Sequence, residues 1–198
     1  MTPDALRLVF VAGYAVSILV LVVRVLPAAA RVDGVSLRAT GPVRWLPFVL
    51  LPIGFVVPPA LLLGRVGEIR AAWWPVRALG IACALYAATM LLGSAATLGD
   101  LLVPQAVVRR DHALVTSGPY RLVRHPAYSG DLALWLGAGF ATLNVALLLG
   151  FPFYAWGARA QARVEERLLT ERFGPAYDAY AARVGRFLPR LTGSPVGS

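Results

Sequence analysis

The chain has 198 residues, of which 58% are hydrophobic and 15% charged, and its mean hydropathy is +0.67. That balance excludes an ordinary soluble domain and marks an integral membrane protein. Its basic residues are all arginine and give a net charge of +9. Because apolar runs separate them, they argue for anionic membrane lipids as the partner and against nucleic acid. The single Cys83 lies in an apolar run and reads as a small core residue, with no disulfide framework and no CxxC metal site.

Taken in chain order, Leu6 to Ala30 is the first run to exceed the roughly 20 residues of a spanning helix. Arg24 interrupts it near one end, where a long side chain reaches the headgroups, and the run is too long for a signal-peptide core. Trp45 to Leu63 carries Pro47, Pro52, Pro58 and Pro59, which predicts a kinked helix, or else a re-entrant segment. Trp73 to Leu98 opens on a tryptophan pair suited to the interface and is rich in Ala, Gly and Ser, which lets helices approach closely. Ala127 to Phe153 is too long for one helix. Broken near Asn144, it becomes a hairpin of Tyr128 to Leu143 and Val145 to Trp156, with no charge around Thr142 to Ala146.

The arms of that hairpin are strongly basic. Arg109, Arg110, Arg121 and Arg124 precede it, and Arg159, Arg163, Arg167, Arg172, Arg183, Arg186 and Arg190 follow it. A hairpin returns the chain to the side it left, so both arms share a compartment, and basic flanks favour the cytoplasm. The N-terminus then lies opposite, with Arg65, Arg70 and Arg77 in mild conflict with the charge rule. Beyond the membrane, Arg159 to Phe173 reads as a helix stopped by Gly174 and Pro175, and Ala176 to Val184 as a shorter one. The expected architecture is all-α: a single polytopic domain, residues 1–198, of about five transmembrane helices. Three helices fill 1–98, and a cofactor-binding loop, the hairpin and cytoplasmic tail helices fill 99–198.

The polar residues concentrate in two clusters. One is "SGPYRLVRHPAYSGD", Ser117 to Asp131; the other is "RVEERLLTERFGPAYDAYAARVGRFLPRL", Arg163 to Leu191. Glu165 and Glu166 lie just beyond the membrane exit, near the level of Arg124 and His125, so two carboxylates face a basic loop. His112 is the other histidine, which leaves His125 without partners for a metal site. Asp131, one turn into an apolar helix, is costly unless paired. Gly137 and Gly139 read as helix packing, and no GxGxxG follows a strand. Arg167, Glu171, Arg172 and Asp178 read as a solvated face.

"GPYRLVRHPAYSG" followed by "EERLL…FGPAYDAY…RFLP" resembles the isoprenylcysteine carboxyl methyltransferase family and the related phospholipid methyltransferases. The resemblance covers Val115 to Leu191; where that family often has Val-Pro in the tail, this chain has Val184-Gly185. It implies a cytoplasm-facing pocket for S-adenosylmethionine and a tunnel to the lipid; the all-arginine composition adds the expectation of a bacterial inner membrane. It implies methyl transfer to a lipophilic or prenylated acceptor at the membrane surface. Within that reading Arg124 or His125 holds the cofactor carboxylate, Arg124 being the better fork, and Glu165 or Glu166 meets the ammonium or ribose, with Arg124 and Glu166 as the catalytic pair. Tyr120, Tyr128, Tyr177 and Tyr180 offer faces to adenine or sulfonium. Gly118, Pro119, Arg121 and Pro126 complete the binding segment, the glycine and prolines shaping a backbone that approaches the ligand closely. A carboxylate acceptor needs no base, and no His–carboxylate pair announces one, which favours a carboxylate. Two alternatives stay open. Arg124-His125-Pro126 through Gly130-Asp131 also resembles NADPH-dependent sterol reductases, and a non-enzymatic lipid-binding protein would account for the hydrophobicity alone.

Overall fold

The computed structural model describes residues 2–27, 35–71, 73–99, 107–109 and 113–190; Arg110, His112 and the end of the first apolar run lie outside them. Helix α1, Pro3–Val20, starts where Thr2 caps it by accepting from the Ala5 amide at 3.2 Å, with Pro3 in the first turn, and it continues through a π-helical turn at Leu21–Val25. The proline-rich run forms α2, Leu46–Phe55, and α3, Val57–Leu63, joined at Val56. Pro58 and Pro59 have no N–H to return to the preceding turn, so the helix bends there, as its prolines predict. Helix α4, Trp74–Leu98, ends on Gly99 at φ 52°. The hairpin is α5, Pro126–Thr142, and α6, Val145–Phe173; a short α7, Pro175–Arg183, follows Gly174.

The hairpin turns where the sequence places the break. Leu143 takes a left-handed conformation at φ 54°, and the Asn144 side chain caps α6 by accepting from the Leu147 amide at 3.0 Å. At 29 residues α6 is about 44 Å long, so it runs well past a hydrocarbon core of about 30 Å into the aqueous phase. Among the described residues three stretches have the length and hydropathy of a membrane span: Pro3–Val23, Leu46–Leu63 and Trp74–Leu98. The 17-residue α5 and the apolar start of α6 pack among them. The fold is helical apart from a small antiparallel ribbon, β1 (Val35–Arg38) with β2 (Val107–Arg109), which no alternation in the sequence announced.

Helix α5 is the centre of the bundle. Gly80 of α4 lies against Gly137 and the Ala141 backbone, and a Cβ on Gly137 would stand 2.9 Å from the Gly80 carbonyl, so only glycine permits this approach. On its other side Trp135 stacks on Tyr154 of α6, centroids 4.7 Å apart, and donates to the Leu147 carbonyl at 2.7 Å. Such a stack adds about 1 kcal/mol to the burial itself. Helix α1 also rests on α5, and the space left between α1 and α4 becomes the cavity described below.

The end of the bundle bearing the hairpin turn gathers charges that the sequence left unexplained. Arg65 pairs with Asp4 at 3.0 Å, Arg7 with Asp4 at 3.1 Å and Glu68 at 3.8 Å, and Glu68 bridges to Asn144. Buried Arg77 donates to the Ala141 carbonyl at 2.6 Å and to Ala71 at 3.0 Å, so it caps the C-terminal end of α5. Arg65 and Arg77 thus have local partners, which removes much of their conflict with the charge rule. The N-terminus and the hairpin turn share this end, opposite the polar clusters.

Candidate active site

At the other end the two polar clusters are stitched together through backbone. The amides of Arg124 and His125 donate to the carbonyls of Gly185 (2.7 Å) and Arg186 (3.0 Å), and Val123 pairs with Gly185. Ser129 donates to the Phe187 carbonyl at 2.6 Å, and Tyr180 to the Tyr120 carbonyl at 2.7 Å. A side chain on Gly185 would overlap the Leu188 carbonyl. The residue that departs from the Val-Pro pattern is therefore the one this tight return requires. Gly118, at φ 56° and facing Thr97, starts the 3-10 turn Gly118–Arg121 that lays Pro119 on Gly93 of α4.

Within this frame the ionic groups pair with each other. Arg124 donates Nε and Nη2 to Glu166 Oε1 at 3.0 and 2.8 Å, and Nη1 to the Ala181 and Val184 carbonyls at 2.9 and 2.5 Å. Arg186 donates Nε to the same Oε1 at 2.9 Å and Nη2 to Oε2. His125 sits between the two glutamates, Nδ1 at 3.5 Å from Glu165 and Nε2 at 3.3 Å from Glu166. Burial alone would raise the Glu166 carboxyl, but hydrogen bonds from His125, Arg186 and Arg124 outweigh it and hold the carboxyl far below the usual range. For His125 burial works to lower the imidazole, and the bonds to Glu165 and Glu166 reverse this, leaving it above its ordinary value.

The three residues expected at the cofactor's charged groups are thus paired with one another. Glu166 is enclosed by Arg124, Arg186 and His125 and does not line the cavity. The Arg124 fork donates to Glu166 and two carbonyls. Both nitrogens of His125 face carboxylates, a His–carboxylate pair that the sequence did not announce. Arg186, the second guanidinium on Glu166, had stood out only as one basic residue among many.

A cavity of about 600 Å³ opens beside this network, and Tyr120, Arg124, His125, Tyr128, Glu165, Tyr177 and Tyr180 line its polar end. Gly118, Pro119, Arg121 and Pro126 shape the turn behind it without lining it. Glu165 accepts from Tyr128 at 2.6 Å and from Gln161 at 3.2 Å. From there the cavity descends between Val9, Gly13 and Val16 of α1, Leu50 and Phe55 of α2, and Ala84, Ala88 and Leu92 of α4. Val9, Val16 and Leu92 are 54%, 59% and 68% exposed, so this apolar limb reaches the lipid-facing surface.

The polar end fits a sulfonium methyl donor: the Glu165 carboxylate faces it, tyrosine rings surround it, and the buried Gln161 Oε1 has no hydrogen-bond partner among the described residues. No group of three or more His, Cys, Asp and Glu suited to a metal occurs among those residues.

A hydrophobic helical bundle with a cavity that joins a polar end to an apolar limb is the architecture of a membrane protein with a site open to polar and apolar groups. The phospholipid methyltransferase family model matches residues 75–176, from the start of α4 into α7, and the chain belongs to that family. It is 42% identical over 106 residues to the cobalt-zinc-cadmium resistance protein CzcN of Cupriavidus metallidurans, covering 52% of this chain and 48% of that one. With the nickel-cobalt-cadmium resistance protein NccN of Alcaligenes xylosoxydans xylosoxydans the figures are 36% over 115 residues, 57% and 53%. Protein-S-isoprenylcysteine O-methyltransferase B of Arabidopsis thaliana is 29% identical over 124 residues, 61% of this chain and 62% of its own. The matched region thus spans about half of the two bacterial relatives.

Proposed function

We propose that this protein transfers a methyl group from S-adenosylmethionine to a lipophilic acceptor at the membrane surface, with the polar end of the cavity facing the cytoplasm. The observation that carries the reading is the continuity of one cavity from a polar end at Glu165 and Tyr128 to an apolar limb between α1 and α4. When bound, the donor supplies an activated methyl on a positively charged sulfur. Glu165 pairs with the donor's ammonium, while Tyr120, Tyr177 and Tyr180 offer ring faces to its adenine and sulfonium. Arg124, His125 and Arg186 act through Glu166: they fix the turn and tail that form the wall, and their contribution is positioning. The apolar limb orients the acceptor's chain and excludes water from the reacting centre. Isoprenylcysteine methylation, named for the Arabidopsis relative, is one chemistry of this form.

The experiment is a calorimetric titration of purified protein with S-adenosylhomocysteine and, separately, NADPH, paired with thermal melts. Binding and stabilisation by the first alone is expected. Stabilisation by NADPH alone would transfer the reading to a reductase, which Asp131 after Arg124-His125-Pro126 also suits.

A further inference from the structure

Polar groups do not stop at the mouth of the cavity; they continue down the hairpin in register. His125 at the N-terminal cap of α5 and Tyr128 and Asp131 on it follow one another at three-residue spacing, and on α6 Glu165, Gln161 and Tyr154 descend opposite them. Tyr128 bonds Glu165, Gln161 bonds Glu165, and at the bottom Tyr154 donates to Asp131. Asp131 is 7% exposed and lines the cavity next to Leu134. Tyr14 of α1, wholly buried and within electrostatic reach of Asp131, has a hydroxyl with no partner among the described residues. A carboxylate offers several acceptor positions, and among the described residues Asp131 is given one neutral donor. An acidic group this poorly compensated in an apolar limb is costly, which is the usual mark of a functional one.

We propose that Asp131 is a catalytic residue that accepts the proton of the methyl acceptor, and that the acceptor is a lipophile whose nucleophilic atom carries hydrogen, an amine or a thiol. This rests on the methyl-transfer reading above and replaces the carboxylate acceptor that the sequence favoured. The lone pair of the acceptor atom X forms the new bond to the methyl carbon. The carbon–sulfur bond of the donor breaks with its electron pair staying on sulfur, which becomes a neutral thioether. The X–H proton passes to Asp131, so the positive charge of the sulfonium and the negative charge of the carboxylate are consumed together. Tyr154 holds the carboxylate toward the limb and is a positioning residue. A carboxylate acceptor would meet Asp131 as a like charge, which disfavours it.

The test uses the full chain in lipid nanodiscs with labelled S-adenosylmethionine and three probes sharing one tail: dodecylamine, dodecanethiol and dodecanoate. Wild type is expected to methylate the amine or the thiol at least about tenfold faster than dodecanoate. Asp131→Asn should bind S-adenosylhomocysteine within about twofold of wild type, lose about 100-fold on the amine and thiol, the scale of a lost general base, and lose nothing on dodecanoate. Tyr154→Phe keeps the carboxylate and should lower kcat on the amine and thiol without changing dodecanoate, so the question stays decidable if Asp131→Asn does not fold. Faster turnover of dodecanoate, equal loss on all probes, or donor binding with no turnover of amine or thiol overturns the proposal and leaves the donor site standing. Failure of wild type to bind S-adenosylhomocysteine overturns the methyltransferase reading and this one with it.

Discussion

Arg124 and Glu166 lie 42 residues apart, in the turn ahead of α5 and on α6, and meet through two hydrogen bonds of 3.0 and 2.8 Å to the same carboxylate oxygen. With Arg186 on the other oxygen, one glutamate ties the turn, α6 and the tail together. Glu166→Gln leaves two guanidiniums and an imidazole without their counter-charge. The expected loss of stability is about 3 kcal/mol, the scale for breaking a largely buried pair, with donor affinity falling as a consequence. Arg124→Lys keeps the charge but loses the planar fork and should cost about 1 to 2 kcal/mol. Denaturation of both variants in detergent checks this; wild-type stability with lost binding would return the two residues to direct cofactor contact.

The His125 imidazole is raised above its ordinary value in the folded protein, by the glutamates and against the effect of burial. A raised group contributes stability that is fully present below the unfolded value of about 6.5 and is lost as pH rises through the folded value. Melting temperature should therefore decline on the alkaline side of about pH 6.5, and His125→Gln should flatten that slope. Glu166 behaves oppositely: its depressed carboxyl contributes above the ordinary carboxylate range and is lost only as pH falls below it. Parallel melts of wild type and His125→Gln across pH would show the idea wrong if the slopes coincide.

Gly185→Ala places a methyl into the Leu188 carbonyl. The tail must then lift from Arg124 and His125, and donor affinity should drop at least about tenfold, on the order of 1.4 kcal/mol. Titration with S-adenosylhomocysteine reads this directly. Gly64→Ala is the control, since Gly64 lies at the opposite end of the bundle and outside the cavity wall.

Arg77→Ala leaves the buried Ala141 carbonyl without its donor. A stability loss of about 2 kcal/mol is expected, with donor affinity unchanged because the polar clusters lie at the opposite end of the bundle. Equal losses in both measurements would mean that the two ends are coupled.

Sidedness is open to cysteine labelling in a Cys83→Ala background. Exposed Val66 and Asp178 lie at opposite ends, so Val66→Cys should react from outside intact spheroplasts and Asp178→Cys only after lysis. The reverse pattern would invert the orientation.

Much of the fold was legible because its punctuation is local: Asn144 at the hairpin turn, Gly174-Pro175 at the end of α6, and the proline pair that bends α2 into α3. The candidate site was legible in its membership and less so in its pairing. Glu165 and Glu166 are adjacent, yet successive helical residues point about 100° apart, so one lines the cavity and the other faces Arg124 and Arg186. The phase that decides this was present in Tyr154, Ala158, Gln161 and Glu165, a stripe at helical spacing that crosses from the apolar run read as membrane into the helix read as lying beyond it. Arg77 was opaque for another reason: its partner is a backbone carbonyl 64 residues away, and carbonyls leave no mark in composition.

Helix α6 carries Tyr154 and Glu165 on one unbroken rod, roughly 16 Å apart along its axis at 1.5 Å per residue. The two ends of the cavity therefore keep a fixed spacing, and exchange of ligands falls to elements packed more loosely against the hairpin, of which α1 and α2 line the limb. On the proposed methyl-transfer reading such a molecule has a built-in ruler: acceptors would be sorted by where their reactive atom falls below the donor, while the length of the tail would be a matter between α1 and the bilayer.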